Sequence, residues 1–219
     1  PMTIRFAEIT KSGEIVNESE LDGSTCDCCQ TSITNTKNGP VVFYRDRSDA
    51  EIRDIYITRN TNGHWSTPKA VHNDNWKING CPVNGPKVVS NENDLAVAWF
   101  TAADNTPTVN VVFSSNLGES FNNPIKVNDL ETIGRVDVAY VNKNEVLVSY
   151  MEVNNEETYL KYKKVHKNGN VLEAITISKI DGSRSTGVPQ LEVFNNEVFV
   201  VWTTTIDEKQ QLKSVKFNL

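Results

Sequence analysis

The chain has 219 residues, 38% apolar and 23% charged, which suits a soluble globular protein. Its net charge is −6 and Lys and Arg form no dense run, which argues against nucleic acid and against an anionic membrane surface as partners. No apolar stretch approaches the roughly 20 residues that a membrane-spanning helix needs.

In chain order, Pro1-Met2-Thr3-Ile4-Arg5 leads straight into a predicted strand near 3–9, with no signal peptide in view, as in a mature or truncated form. Gly13 closes a turn into a second strand. After the loop from Asp22 to Cys29, strands are predicted near 30–35, over Val41-Val42-Phe43-Tyr44 and near 52–58, with a turn at Gly63. The same succession recurs near 86–90, over Leu95 to Trp99, near 108–114 and at Gly118. It recurs again near 135–141, over Val146 to Tyr150, near 158–165 and at Gly169. It returns near 188–194, over Val198 to Trp202 and near 211–218.

Two markers keep one rhythm. The aromatics Tyr44, Trp99, Tyr150 and Trp202 are 55, 51 and 52 residues apart, and the turn glycines Gly13, Gly63, Gly118 and Gly169 are 50, 55 and 51 apart. Short strands recurring about every 50 residues predict β-propeller blades. The fold class is all-β, with four-stranded antiparallel blades labelled a to d from the channel outward. The chain reads as a single partial propeller of about four blades, with units near 1–20, 29–72, 86–128, 135–178 and 188–219. It starts with a c–d pair and ends without a d strand. The ring is therefore expected to be completed by a missing N-terminal half, by a second copy of the chain, or by the first hairpin closing on the last blade, the first being favoured.

The turn Ser114-Ser115-Asn116-Leu117-Gly118-Glu119-Ser120-Phe121 matches the Asp-box, a structural motif of propeller hairpins. Asn116 is suited to bond its own turn, Gly118 to take a positive φ, and Phe121 to bury its ring between sheets. Together with Cys26-Asp27-Cys28-Cys29-Gln30-Thr31, Tyr44 to Asp49, Ile52-Arg53-Asp54-Ile55, Gly80 to Pro86 and Gly134-Arg135-Val136-Asp137, it resembles the bacterial sialidase-like, BNR-repeat proteins. The resemblance covers nearly the whole chain. It implies the C-terminal half of a six-bladed propeller in a periplasmic or extracellular protein, with a lipoprotein anchor in the full-length form as one variant.

Loops joining strand d to a and strand b to c gather on one rim, where propellers usually bind ligands. Cys29 and Cys81 lie 52 residues apart, one blade, so their loops are expected side by side. Cys26, Cys28, Cys29 and Cys81 read either as a Cys29–Cys81 disulfide with the other two paired or free, or as a thiolate site for copper or zinc. Arg45, Arg47, Arg53, Arg135 and Arg184 fall on this rim, and guanidinium forks suit carboxylates. The plainer reading of Arg45 to Asp49 is a solvated loop whose charges pair with one another. Trp76 reads as a platform for a sugar or as packing between blades.

The resemblance implies a glycan or other anionic small ligand held by the arginines. It also implies a need for a nucleophile and an acid/base carboxylate, for which Tyr44, Asp46 and Glu152 are the candidates. Two functions follow as expectations: an exo-acting glycoside hydrolase or binder of carboxylated glycans, or a non-catalytic extracytoplasmic binding propeller with a structural disulfide or Cys-held metal.

Overall fold

Residues 2–206 and 209–219 are described in a computed structural model, as antiparallel strands with short 3-10 turns at Ala103–Asn105 and Arg184–Thr186. β1 (Met2–Ile9) and β2 (Ile15–Thr25) form a hairpin. The next sheet holds β3 (Ser32–Thr36), β4 (Gly39–Arg45) and β5 (Ile55–Thr61), edged by β6 (His64–Trp65) and β7 (Lys69–Ala70). β8 (Lys87–Asn91), β9 (Asp94–Thr101), β10 (Thr108–Ser114) and β11 (Ile125–Lys126) follow in that order. The third sheet is β12 (Thr132–Asn142), β13 (Glu145–Asn154), β14 (Glu157–His166) and β15 (Ile175–Ile180). β16 (Gln190–Phe194), β17 (Glu197–Ile206) and β18 (Lys209–Asn218) close the chain. These are propeller blades: a trailing c–d hairpin, three full a–b–c–d sheets, and a final a–b–c sheet. Among the described residues no helix is long and apolar enough to cross a membrane.

The b strands explain the stacking. Their side chains alternate between two faces, and each face meets a different blade. Leu95, Val97 and Trp99 of β9 join Phe43 and Ile57 of the preceding blade. Ala96, Ala98 and Phe100 join Val146, Val148 and Tyr150 of the next. Leu147 and Met151 of β13 then meet Val198, Val200 and Trp202. Burial on both faces is why these strands read as continuous apolar runs. The first hairpin packs on Val42 and Tyr44 through Ile4 and Phe6. The first hairpin and the last blade belong to separate hydrophobic clusters among the described residues. The outer face of the last blade leaves Val201 and Leu212 exposed.

The turns hold the hairpins. Gly13, Gly63, Gly118 and Gly169 all have positive φ. In the Ser114–Phe121 turn, Ser114 Oγ accepts from Gly118 N at 2.9 Å and Asn116 Oδ1 accepts from Ser120 N at 3.0 Å. A Cβ on Gly118 would meet Ile57 Cδ1 at 2.6 Å, so the turn presses directly on the neighbouring blade. Phe121 sits edge-on to Phe43 at 6.3 Å and seals that interface.

Candidate functional site

The d–a and b–c loops interlock on one rim. Arg53 N donates to Trp76 O and Ile78 N to Glu51 O, which binds the loop after β4 to the loop after β7. The Asp54 carboxylate accepts from the amides of Asn75 and Trp76 at 2.9 and 3.0 Å. Gln30, just past the first cysteines, exchanges two hydrogen bonds with the backbone of Gly85.

The cysteine loops do lie side by side, but the bond runs from Cys28, not Cys29, to Cys81, with Cα atoms 6.0 Å apart. The blade period varies by several residues, so it cannot choose between neighbours. Cys26 and Cys29 are free thiols whose sulfurs lie 3.2 Å apart. Cys26 Sγ also accepts from Arg53 Nη1 at 3.4 Å. The hydrogen bond shared with Cys29, aided by the Arg53 guanidinium and opposed by burial, pulls the Cys26 thiol down to about 5. The same shared bond, with burial, pushes Cys29 up, so the pair tends to hold one proton between them.

The arginines divide by depth. Arg45, expected to bind ligand, is 1% exposed, and its donors go to the carbonyls of Asn84, Arg53 and Phe100. Trp76 is buried against Arg45 and Phe100, so it packs rather than offering a sugar platform. Arg53 and Arg47 both pair with Glu51, Arg53 buried and Arg47 at the surface. Arg135 and Arg184 differ from these. Arg135 Nη1 donates to Gly187 O and Arg184 Nη2 to Cys81 O, and among the described residues neither meets a carboxylate. Burial and the nearby Arg184 charge hold the Arg135 guanidinium below its ordinary range.

The catalytic candidates are enclosed. Tyr44 is buried and donates to Asp22 Oδ2 at 2.5 Å, and burial raises its phenol. Glu152 is buried, pairs with Lys161, and accepts from the amides of Asp129 and Leu130 at 3.1 Å. These contacts are structural, and neither side chain opens to a substrate. Asp46 is also buried, and burial raises its carboxyl to about 6, partly offset by the Arg47 amide. An unfolded Asp titrates near 3.8, so the folded state carries an ionisation cost above about pH 6 that disappears as pH falls. Asp46→Asn is therefore expected to stabilise the protein by about 1–2 kcal/mol at pH 8 and by little near pH 4. Urea midpoints at the two pH values check this, and an equal gain at both would count against it.

Sequence reasoning missed Asn84, Lys87 and Asp137. Asn84 is buried; its Oδ1 accepts from Arg135 N at 2.8 Å, and its Nδ2 donates to Pro82 O and Ile133 O. It ties the rim of one blade to the start of the next. Asp137 accepts from Leu191 N at 2.9 Å and lies 3.7 Å from Lys87 Nζ. Both line a cleft of about 320 Å³ with Ser32 and Gln190, bordered by the a strands of four successive sheets. The a-strand periodicity places these residues on the channel, but nothing in the sequence marks them as paired.

No family model and no curated protein matches the chain. Solved structures do. The endosialidase of phage phi92 superposes with a TM-score of 0.65 at 14% identity, covering 92% of this chain and 38% of that one. A Hadza microbial sialidase gives 0.57 at 15%, covering 84% and 43%. An exo-β-1,3-galactanase from Phanerochaete chrysosporium gives 0.54 at 14%, covering 97% and 51%. At these identities the likeness is one of fold, and this chain spans about half or less of each neighbour.

Proposed function

We propose that this chain forms part of an extracytoplasmic propeller that binds a carboxylated glycan, or a similar anionic small ligand, on the loop rim. One observation carries the reading: Arg135 and Arg184 stand together on the rim with no carboxylate partner among the described residues. Each guanidinium spends only one N–H on a nearby carbonyl, so donors remain for a carboxylate. Arg184 is exposed and makes the first contact, while the mostly covered Arg135 adds charge from beneath. The Cys28–Cys81 bond suits a periplasmic or extracellular setting. Sialidase and galactanase neighbours support a glycan as the ligand class.

Binding is favoured over cleavage within this chain because Tyr44, Asp46 and Glu152 are all buried. In a glycoside hydrolase the acid and nucleophile would then come from the blades that complete the ring. Those blades belong to an N-terminal half or to a second copy of this chain, and light scattering of the purified chain distinguishes a dimer from a monomer that awaits further blades.

Calorimetric titration with sialyllactose and a glucuronic acid oligosaccharide, against neutral lactose, tests the reading. Acidic glycans are expected to bind and lactose not. Arg184→Ala is expected to weaken binding by at least about tenfold, the worth of one charged hydrogen bond. Equal binding of acidic and neutral glycans, or none of either, would remove the proposal. Turnover of a fluorogenic sialoside would favour the hydrolase.

A further inference from the structure

The rim carries a second chemistry that the anion reading does not use. Cys26 Sγ lies 3.2 Å from Cys29 Sγ and 3.6 Å from Cys28 Sγ, and Cys28 is bonded to Cys81 of the next loop. The three sulfurs of the first loop lie within 4.8 Å of one another. That matches the width of one thiolate coordination sphere, about 4.6 Å across for metal–sulfur bonds of roughly 2.3 Å. The first loop therefore gathers three sulfurs at one point, and the Cys28–Cys81 bond brings the next blade's loop beside them.

The surroundings suit an anionic thiolate complex. Among the described residues the cluster is made of cysteines alone. Arg53 Nη1 donates to Cys26 Sγ at 3.4 Å, and the Arg45 guanidinium lies beside Cys29. Both guanidiniums are fixed, Arg53 by Glu51 and Arg45 by its carbonyls. Two buried cations would hold thiolates in place and offset part of their negative charge.

We infer that, when the Cys28–Cys81 bond is reduced, Cys26, Cys28 and Cys29 bind one Cu(I) ion, with the Cys81 thiol set free beside them. Reduction takes two electrons and two protons from an external dithiol, which leaves as its own disulfide, and yields the Cys28 and Cys81 thiols. Each ligating thiol then gives its proton to water as its sulfur binds the metal. Soft sulfur donors select Cu(I) or Zn(II) among common ions. With Arg45 and Arg53 offsetting two thiolate charges, the residual charge of the site matches a monovalent ion, and Cu(I) accepts two or three sulfurs. Structural zinc sites are commonly built from two spaced ligand pairs of Cys or His; here there is one, Cys26 to Cys29, with Cys81 alone on the next loop. The Cys28–Cys81 disulfide is the metal-free, oxidised state of the same site.

The test is an anaerobic titration of the full chain with Cu(I) in competition with bathocuproine disulfonate. Thiol counting is expected to give two thiols before phosphine reduction and four after it, with circular dichroism unchanged. The reduced protein is expected to take one Cu(I) from the chelator. Cys26→Ser and, separately, Cys29→Ser are expected to weaken uptake by at least about tenfold, as is leaving the disulfide intact. The inference would be overturned by a reduced, folded protein that leaves the chelator complex untouched, by one that binds Zn(II) but not Cu(I), or by loss of the fold on reduction, which would leave no preformed site. Uptake unaffected by both serine variants would also overturn it, since copper would then sit elsewhere.

Discussion

Arg45→Met is expected to destabilise the protein by about 3–5 kcal/mol, a large fraction of the roughly 5–15 kcal/mol that holds a domain folded. Arg45 Nε donates to Asn84 O at 2.8 Å, Nη1 to Arg53 O at 2.5 Å and Nη2 to Phe100 O at 2.7 Å. Those carbonyls belong to the loop before β8, the loop before β5, and β9 itself. One fork therefore joins two blades at the rim, with its face against Trp76 at 4.9 Å. Methionine fills much of the volume but leaves three buried carbonyls without donors, each costing about 1–3 kcal/mol before relaxation. Arg45→Lys is expected to recover little, because an ammonium cannot reach three carbonyls set around a planar fork. Arg47→Met is the control: its exposed pair with Glu51 is worth about 0–1 kcal/mol. Urea unfolding of the three variants decides the matter. If Arg45→Met unfolds at the same midpoint as Arg47→Met, Arg45 is not the rim's central tie.

That contrast shows what the sequence made legible. Arg45 and Arg47 sit two residues apart in one charged loop, and nothing in their spacing separates a buried tie from a surface pair. Blade architecture was legible because it repeats. Tyr44, Trp99, Tyr150 and Trp202 are all buried, and the turn glycines all adopt positive φ, so each marker has a physical cause that recurs in every blade. Depth on the rim has no such period. Tyr44 and Glu152 looked like catalytic groups by residue type, yet one answers Asp22 and the other caps the amides of Asp129 and Leu130. The disulfide was missed by one residue because adjacent positions share the same blade offset. Asn84 and Gln30 stayed invisible because they act on backbone groups about 50 residues away, for which side-chain type carries little signal. Arg135 and Arg184 were legible as rim residues, but it is the fold that brings Arg135 onto Gly187, beside Arg184.

Gly85→Ala is expected to be the most damaging conservative change on the rim, costing about 3 kcal/mol or more. A Cβ there would lie 1.8 Å from Gln30 O and 2.8 Å from its carbonyl carbon. Gln30 is backbone at that point and has little room to yield: its side chain already holds Gly85 N at 2.9 Å, and the loop just before it is tied by Cys28–Cys81 and by Cys26 N donating to Arg45 O. The loops must part instead. Parting strains the Arg45–Asn84 contact and separates the cysteine loops, so the Cys26 and Cys29 thiols are expected to react faster with a thiol reagent. Gly80→Ala in the same loop meets nothing closer than Ile78 Cγ1 at 3.7 Å and is expected to stay within about 0.5 kcal/mol of the parent. Unfolding midpoints and thiol reactivity measured on both variants separate a local clash from general loop sensitivity. If Gly85→Ala matches Gly80→Ala in both readouts, the two loops are not clamped as described, and the cysteines they carry are not held together by the fold.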